Sequence, residues 1–337
     1  MHRKTLILVN TGTPEEPEKK AVRKYLSEFL NDPFVIDIPW IFRKILVNLI
    51  IIPFRTAKSV GLYKRLWTEN GSPLRTNLER LVSKLNERLK DEYIVAGAMR
   101  YGKPSIRSVL QRTEKGSEII IFPLFPQYAA ATTGSVKRAV LNELVNSGAS
   151  DVRFIDQFYS QSSFIDALSK KIKQCQLQNF DHIIFSYHSL PVRQVNKIHP
   201  AIQEEKCNCI DSFPSHGKQC YKAECYMTTR LLADKLGLEK DSFSTTFQSR
   251  MSKNWISPFT DKAIRDLAAM GKKHLLIASP SFVADCLETL IEIREDYKDI
   301  FFAAGGEKLE FVDSLNYDDI WVEAIIRILA SPEQSRI

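Results

Sequence analysis

At 337 residues, 44 % of them hydrophobic and 26 % charged, the chain has the make-up of a folded globular protein long enough for two domains. Its net charge of +7 calls for an anionic partner. No nucleic-acid module and no interleaving of aromatic with basic residues is present, which excludes nucleic acid and leaves an acidic small molecule or an anionic membrane surface.

Met1-His2-Arg3-Lys4 runs straight into an apolar strand without a signal-peptide core, so the expected location is the cytoplasm. Strands are expected at 5–10, 93–99, 118–124 and 152–155, then at 182–187, 242–247, 274–278 and 300–303. Amphipathic helices are expected between them at 72–89, 132–146, 162–172, 228–236 and 261–269, with a last helix at 317–329. Short β-rich runs alternating with helices predict an α/β protein. The expectation is two similar doubly wound, Rossmann-like domains, each with a four-stranded parallel sheet, facing across a cleft. Their boundaries fall at 1–158 and 159–317, with a C-terminal helix and tail at 318–337.

Segment 37–64 is the most apolar part of the chain, punctuated by Arg43, Lys44, Arg55, Lys58 and Lys64. Its longest apolar run, 45–54, falls short of the ~20 residues that cross a bilayer. An apolar face flanked by cations can instead lie peripherally on an anionic membrane, and a wholly buried helix reads the same way.

Two segments carry the chemistry: Phe185-Ser186-Tyr187-His188-Ser189-Leu190-Pro191 and Asp285-Cys286-Leu287-Glu288-Thr289-Leu290. Each follows an apolar run that reads as a strand. Neighbouring parallel strands would bring His188 and Glu288 to one carboxyl-end rim, where open α/β sheets bind ligands. A histidine facing a carboxylate there can hold a metal ion or move protons near neutral pH. Glu288, Glu292 and Asp296 follow one another at i, i+4 and i+8, a stripe drifting about 40° per step on a 3.6-residue helix. By spacing alone that stripe reads as a solvated acidic face.

The loop at 200–227 carries Cys207, Cys209, Cys220 and Cys225 as C-x-C-x10-C-x4-C. Four thiols in a cytoplasmic chain suit a [2Fe–2S] cluster or a structural zinc, and idle or redox-active thiols are the third reading. His216, inside the loop, could replace one of them.

In order along the chain, Leu8-Val9-Asn10-Thr11-Gly12-Thr13-Pro14, Asn70-Gly71-Ser72-Pro73-Leu74, Arg100-Tyr101-Gly102, Pro123-Leu124-Phe125-Pro126-Gln127-Tyr128, Thr132-Thr133-Gly134-Ser135, Ser186-Tyr187-His188, Phe247-Gln248-Ser249-Arg250 and Pro258-Phe259-Thr260-Asp261 resemble the ferrochelatase family. The resemblance runs from Leu6 to about Trp321. It implies a lyase that inserts ferrous iron into a porphyrin, releasing two protons, with His188 and Glu288 at the centre of catalysis and iron binding. Which of the two delivers iron stays open. In place of a solvated face, the resemblance makes Glu292 and Asp296 an acidic path for iron or protons leading from Glu288 to solvent. Thr11, Tyr63, Ser72, Arg100, Tyr101, Trp255 and Phe282 would contact the porphyrin, Arg100 offering its fork to a propionate.

The apolar segment, about 34–65, would form a lip over the porphyrin pocket. Some bacterial members hold a [2Fe–2S] cluster in such a cysteine segment, which iron insertion itself would not need. Protoporphyrin IX is the expected substrate, with coproporphyrin III as the alternative. A tetrapyrrole or iron carrier with a redox sensor, and a cobalt chelatase, are the competing readings.

Overall fold

A computed structural model describes residues 3–114, 116–144, 152–199, 201–215 and 218–331, and the backbone of 335–336. The chain divides into two compact units. The first comprises Met1–Phe125, Ala129–Gln157 and Ser331–Ile337; the second comprises Pro126–Tyr128 and Phe158–Ala330.

In the first unit, β1 (Lys4–Gly12), β2 (Tyr93–Tyr101), β3 (Ile119–Pro123) and β4 (Val152–Phe154) form a parallel sheet in the order β2-β1-β3-β4. In the second, β5 (His182–His188), β6 (Phe243–Gln248), β7 (His274–Ala278) and β8 (Lys308–Phe311) repeat it as β6-β5-β7-β8. The two halves therefore share one topology, with the strand order reversing between β1 and β3 and again between β5 and β7. Such a reversal is where open α/β sheets place their ligands. The strands predict this themselves. Leu6, Ile7, Leu8 and Val9 are all fully buried, as a central parallel strand covered on both faces requires. A short β9 (Ser335–Arg336) adds an antiparallel fifth strand beside β4.

The expected strand at 300–303 is instead the helix Lys298–Ala303, and the sheet's last strand lies further on, at β8. Phe301 is fully buried and its neighbour Phe302 is exposed, one face of a helix rather than a continuous buried run. Gly305, at φ +91°, and Gly306 then turn the chain; a Cβ on Gly306 would lie 2.3 Å from the Phe301 ring. The period-2 pattern appears only afterwards, with Leu309 buried between Lys308 and the exposed Glu310. The helix expected at 228–236 begins seven residues earlier, as Tyr221–Leu236. The helix expected at 132–146 is a π turn at Ala130–Gly134 followed by Ser135–Leu144, and its last two expected residues lie outside the described ones.

The apolar lip is one continuous helix, Trp40–Leu66, with a π turn at Leu46–Ile51. Val47 and Ile52 point inward and pack with Val22, Tyr25, Leu26 and Leu30 of the helix Lys19–Leu30 and with Tyr101. Its other side carries Trp40, Phe42, Leu49 and Phe54, the last 83 % exposed. A wholly buried helix is thus excluded, and the element is longer than the apolar run within it. At 27 residues it is long and apolar enough to cross a membrane by length and composition.

Candidate active site

His188 closes β5, in register with Gln248 of β6. Its Nδ1 lies 2.5 Å from the carbonyl oxygen of Ser189. A carbonyl can only accept, so Nδ1 carries the proton and Nε2 is left with its lone pair and no partner among the described residues. The ring is flanked by Trp255 and Phe282, each 6.3 Å away between centroids. The Tyr221 hydroxyl donates to the His188 carbonyl at 2.8 Å, which fixes the backbone under the ring.

Glu288 begins the π-helical segment Glu288–Tyr297 that follows β7, the strand paired with β5. The turn before it is pinned by Asp285. Asn316 donates to Asp285 Oδ2 at 2.7 Å and accepts from the Asp285 backbone at 2.8 Å, and Thr289 donates to Oδ1 at 3.1 Å. Gln248, buried, donates to the Glu288 carbonyl at 3.4 Å and accepts from Ser186 at 2.6 Å, so one amide links β5, β6 and the π segment. The buried Cys286 thiol hydrogen-bonds the Glu288 carboxylate, and burial followed by that negative charge holds the thiol protonated.

Glu292 is not part of a solvated face. It accepts from the Ser249 backbone N–H at 2.8 Å, from the Ser249 hydroxyl and from the Tyr297 hydroxyl at 2.6 Å. Burial raises its pKa and the charge of Glu288 adds to the effect; the Ser249 and Tyr297 hydrogen bonds and His188 oppose it. Ser249 makes its double contact from the left-handed region, φ +61°, which costs a non-glycine residue local strain. Asp296 is exposed. The wider π turn, roughly 4.4 residues, brings the i, i+4, i+8 residues closer to one line than a 3.6-residue helix would. His188, Glu288 and Glu292 are thus gathered in one field within the second unit.

In the first unit two of the expected porphyrin contacts, Arg100 and Tyr101, meet at Asp32, a residue the sequence reading missed. Arg100 Nη2 donates to Asp32 at 2.5 Å, and Arg100 Nε donates to the Ser135 hydroxyl at 2.7 Å. The guanidinium also stacks 4.5 Å above the Tyr101 ring. The expectation of a free fork for a propionate is therefore corrected: two of its nitrogens are committed, and among the described residues Nη1 meets no partner. Ser72 and Tyr101, expected on the rim, are 1 % and 2 % exposed and serve as supports. Ser72 accepts from Thr13 at 2.9 Å; Tyr101 donates to Asp32 at 2.9 Å. Thr11 lies half-exposed at the end of β1, and Tyr63 packs edge-on to Tyr25 at 6.1 Å. Gly12, at φ +117°, could carry no side chain: a Cβ would lie 1.8 Å from the Tyr101 carbonyl.

Cys207, Cys209, Cys220 and Cys225 are all buried. Cys209 hydrogen-bonds Cys207 and feels Cys220, and Cys225 feels both Cys220 and Cys209. Burial pushes the Cys209 thiol up to about 12 and Cys220 to about 11, and holds Cys225 well above the usual thiol range. His199, also buried, gives Nδ1–H to the Ile202 carbonyl at 2.7 Å and turns Nε2 to within 3.3 Å of Cys220 Sγ. His216 lies outside the described residues. The donor types suit a thiolate-bound metal, but burial keeps Cys209, Cys220 and Cys225 as neutral thiols. Among the described residues no group of three or more His, Cys, Asp or Glu is arranged to hold a metal ion.

SirB from Bacillus subtilis, solved with Fe3+, has the same fold (TM-score 0.53, covering 98 % of this chain and 96 % of that one) at only 9 % identity. Among curated sequences, the ferrochelatase of Legionella pneumophila (strain Corby) is 41 % identical over 330 residues, 97 % of this chain and 98 % of its own. That of Coxiella burnetii (strain Dugway 5J108-111) is 40 % identical, covering 96 % of this chain and 92 % of its own. The ferrochelatase family model matches residues 3–332. The chain therefore belongs to the ferrochelatase family, lyases of haem biosynthesis that insert ferrous iron into a porphyrin.

Proposed function

We propose that this chain metallates protoporphyrin IX, with His188 and Glu288 as the central pair. The observation that carries this reading is the fixed tautomer of His188. Its Nδ1 proton is held by the Ser189 carbonyl, so Nε2 is a ready base for a pyrrole N–H. Two protons must leave as ferrous iron enters. His188 accepts one; Glu288, whose carboxylate is oriented by Cys286, stands ready for iron or for the second proton. Glu292 and the exposed Asp296 continue the acidic line outward, and the raised pKa of Glu292 suits a group that takes and passes on a proton. Thr11, Tyr63, Arg100, Trp255 and Phe282 hold the porphyrin, supported by Ser72 and Tyr101.

Anaerobic metallation, followed by loss of porphyrin fluorescence, tests the reading with protoporphyrin IX and coproporphyrin III in parallel. Insertion lost in both His188→Ala and Glu288→Gln supports it. Porphyrin binding without turnover by the wild type would instead identify a carrier, and faster turnover of coproporphyrin III would reassign the substrate.

A second reading concerns the cysteine pocket, proposed as the ligand set of a [2Fe–2S] cluster, with zinc as the alternative. The sequestration of all four thiols in one pocket supports it. Loading would require their deprotonation, so uptake would release protons. A cluster would be structural or redox-sensing, as metal insertion changes no oxidation state. Protein purified anaerobically that shows neither iron–sulfur absorbance nor stoichiometric zinc would refute it.

The exposed apolar side of Trp40–Leu66, with Lys44, Arg55 and Lys58 on its exposed surface, is proposed to rest on an anionic membrane. Cosedimentation with anionic but not neutral vesicles is the expected result.

A further inference from the structure

Arg100 reaches solvent with 22 % of its side chain, whereas the Asp32 side chain beside it is 3 % exposed. Asp32 Oδ2 accepts from Arg100 Nη2 at 2.5 Å, Ser135 Oγ at 2.6 Å and Tyr101 Oη at 2.9 Å, and Oδ1 accepts from the Phe34 N–H at 2.8 Å. Both oxygens of this carboxylate are thus engaged within the protein, and at 3 % exposure it is withdrawn from a ligand. Ser135 also receives Arg100 Nε at 2.7 Å, closing a ring of bonds around one end of the guanidinium. The opposite nitrogen, Nη1, has no partner among the described residues.

We propose that Asp32 is a positioning residue that converts Arg100 from a mobile cation into a fixed, single-nitrogen donor for a carboxylate of the porphyrin. The inference rests on the reading of Arg100 as a porphyrin contact. Two physical consequences distinguish this arrangement from a free arginine. The charge of Arg100 is largely cancelled by Asp32, so recognition depends on the direction of the Nη1–H bonds more than on long-range attraction. The side chain is also ordered before the ligand arrives, so binding does not have to immobilise it. A buried carboxylate is tolerable only while its donors stay in place, which couples Asp32, Tyr101, Ser135 and Arg100 into one unit.

The test compares a two-carboxylate porphyrin with its dimethyl ester, in wild type, Asp32→Asn, Arg100→Ala and the double variant. Asp32→Asn is expected to raise KM for the acid about tenfold, with kcat and the KM for the ester nearly unchanged. The double variant should be no worse than Arg100→Ala alone, because the two residues act through one contact. A defect in Asp32→Asn shared equally by acid and ester, or losses that add in the double variant, would overturn the role of Asp32. If Asp32→Asn does not fold, Ser135→Ala and Tyr101→Phe each remove one donor from the same carboxylate. They carry the same test, with a rise in KM of roughly threefold for the acid alone expected and an equal effect on acid and ester overturning it. An Arg100→Ala variant indifferent to esterification would reject the underlying reading of Arg100, separately from the role of Asp32.

Discussion

At the end of β5, His188 gives one ring nitrogen to a neighbouring carbonyl and keeps the other open, with Glu288 and Glu292 in its field. At the end of β2, Arg100 gives two of its three nitrogens to Asp32 and Ser135 and keeps one open. Both rims are built on the same strand order, yet one is equipped to move protons and the other to hold a charge still. The difference arises in what the loops return to the rim. In the second unit the loop after β7 leads into a π segment lined with carboxylates. In the first, the segment after the helix Lys19–Leu30 brings back a single aspartate that neutralises the rim's arginine. Topology supplies the place, and a few polar residues on the connections supply the chemistry.

The largest test of this contrast is His188→Ala, which should lower the insertion rate about 10²- to 10⁴-fold, the usual worth of a positioned base, while porphyrin binding persists. Stopped-flow fluorescence separates the two; lost binding with intact turnover of bound porphyrin would reverse the assignment of the rims. The shared scaffold is tested next by Leu8→Ala and Ile184→Ala, equivalent full burials in the two central strands. Each should cost about 2–5 kcal/mol in denaturant unfolding. A large cost in one and none in the other would show that the units do not bear load alike.

Ser249→Ala removes one of the bonds that oppose the raised pKa of Glu292, so that pKa should rise further. If ionised Glu292 is the proton acceptor, the acid limb of the pH–kcat/KM profile then moves to higher pH. Activity on that limb should fall roughly three- to tenfold. An unmoved limb would take Glu292 out of the proton path.

The smallest effect lies at the amino end of β5, away from the rim. Burial pulls the pKa of His182 down to about 4. Since an unfolded histidine titrates near 6.5, its contribution to stability is complete above about pH 6.5 and is lost as pH falls through 4. Melting temperatures between pH 7 and 4 should show a shallower decline in His182→Gln than in wild type, and equal slopes would discard this contribution.

Seven of the eight expected strands are found where the sequence predicts them, and β1, β3, β5 and β7 stand out most because a parallel strand buried on both faces announces itself as an apolar run. The exception is instructive. Ile300-Phe301-Phe302-Ala303 has strand composition, but one turn of helix buries Phe301 and leaves Phe302 outside, and the edge strand β8 is half polar and so less visible. Within the rims, His188 stood out by position, at the end of an apolar run, whereas Glu288 lies beyond the loop that follows β7. Gln248 and Ser249 were visible only as part of a motif, with no signal that one amide would tie three elements together. Asp32 gave no signal at all. Asn31-Asp32-Pro33 reads as an ordinary turn, and its meaning appears only when residues 68 to 103 positions away arrive beside it.

By itself, then, the sequence determined the class of sheet, the order of its strands along the chain, and the types of residue available at each rim. Local patterning is enough for that, since burial on two faces and loop chemistry at strand ends are both written in short stretches. Only the tertiary structure decided which polar atoms remain open. His188 keeps Nε2 because a carbonyl takes its other proton. Arg100 keeps Nη1 because Asp32 and Ser135 take the rest, and Glu292 is clamped rather than solvated because Ser249 and Tyr297 close on it. Hydrogen-bond partners are chosen by proximity in space, and a donor can be spent only once.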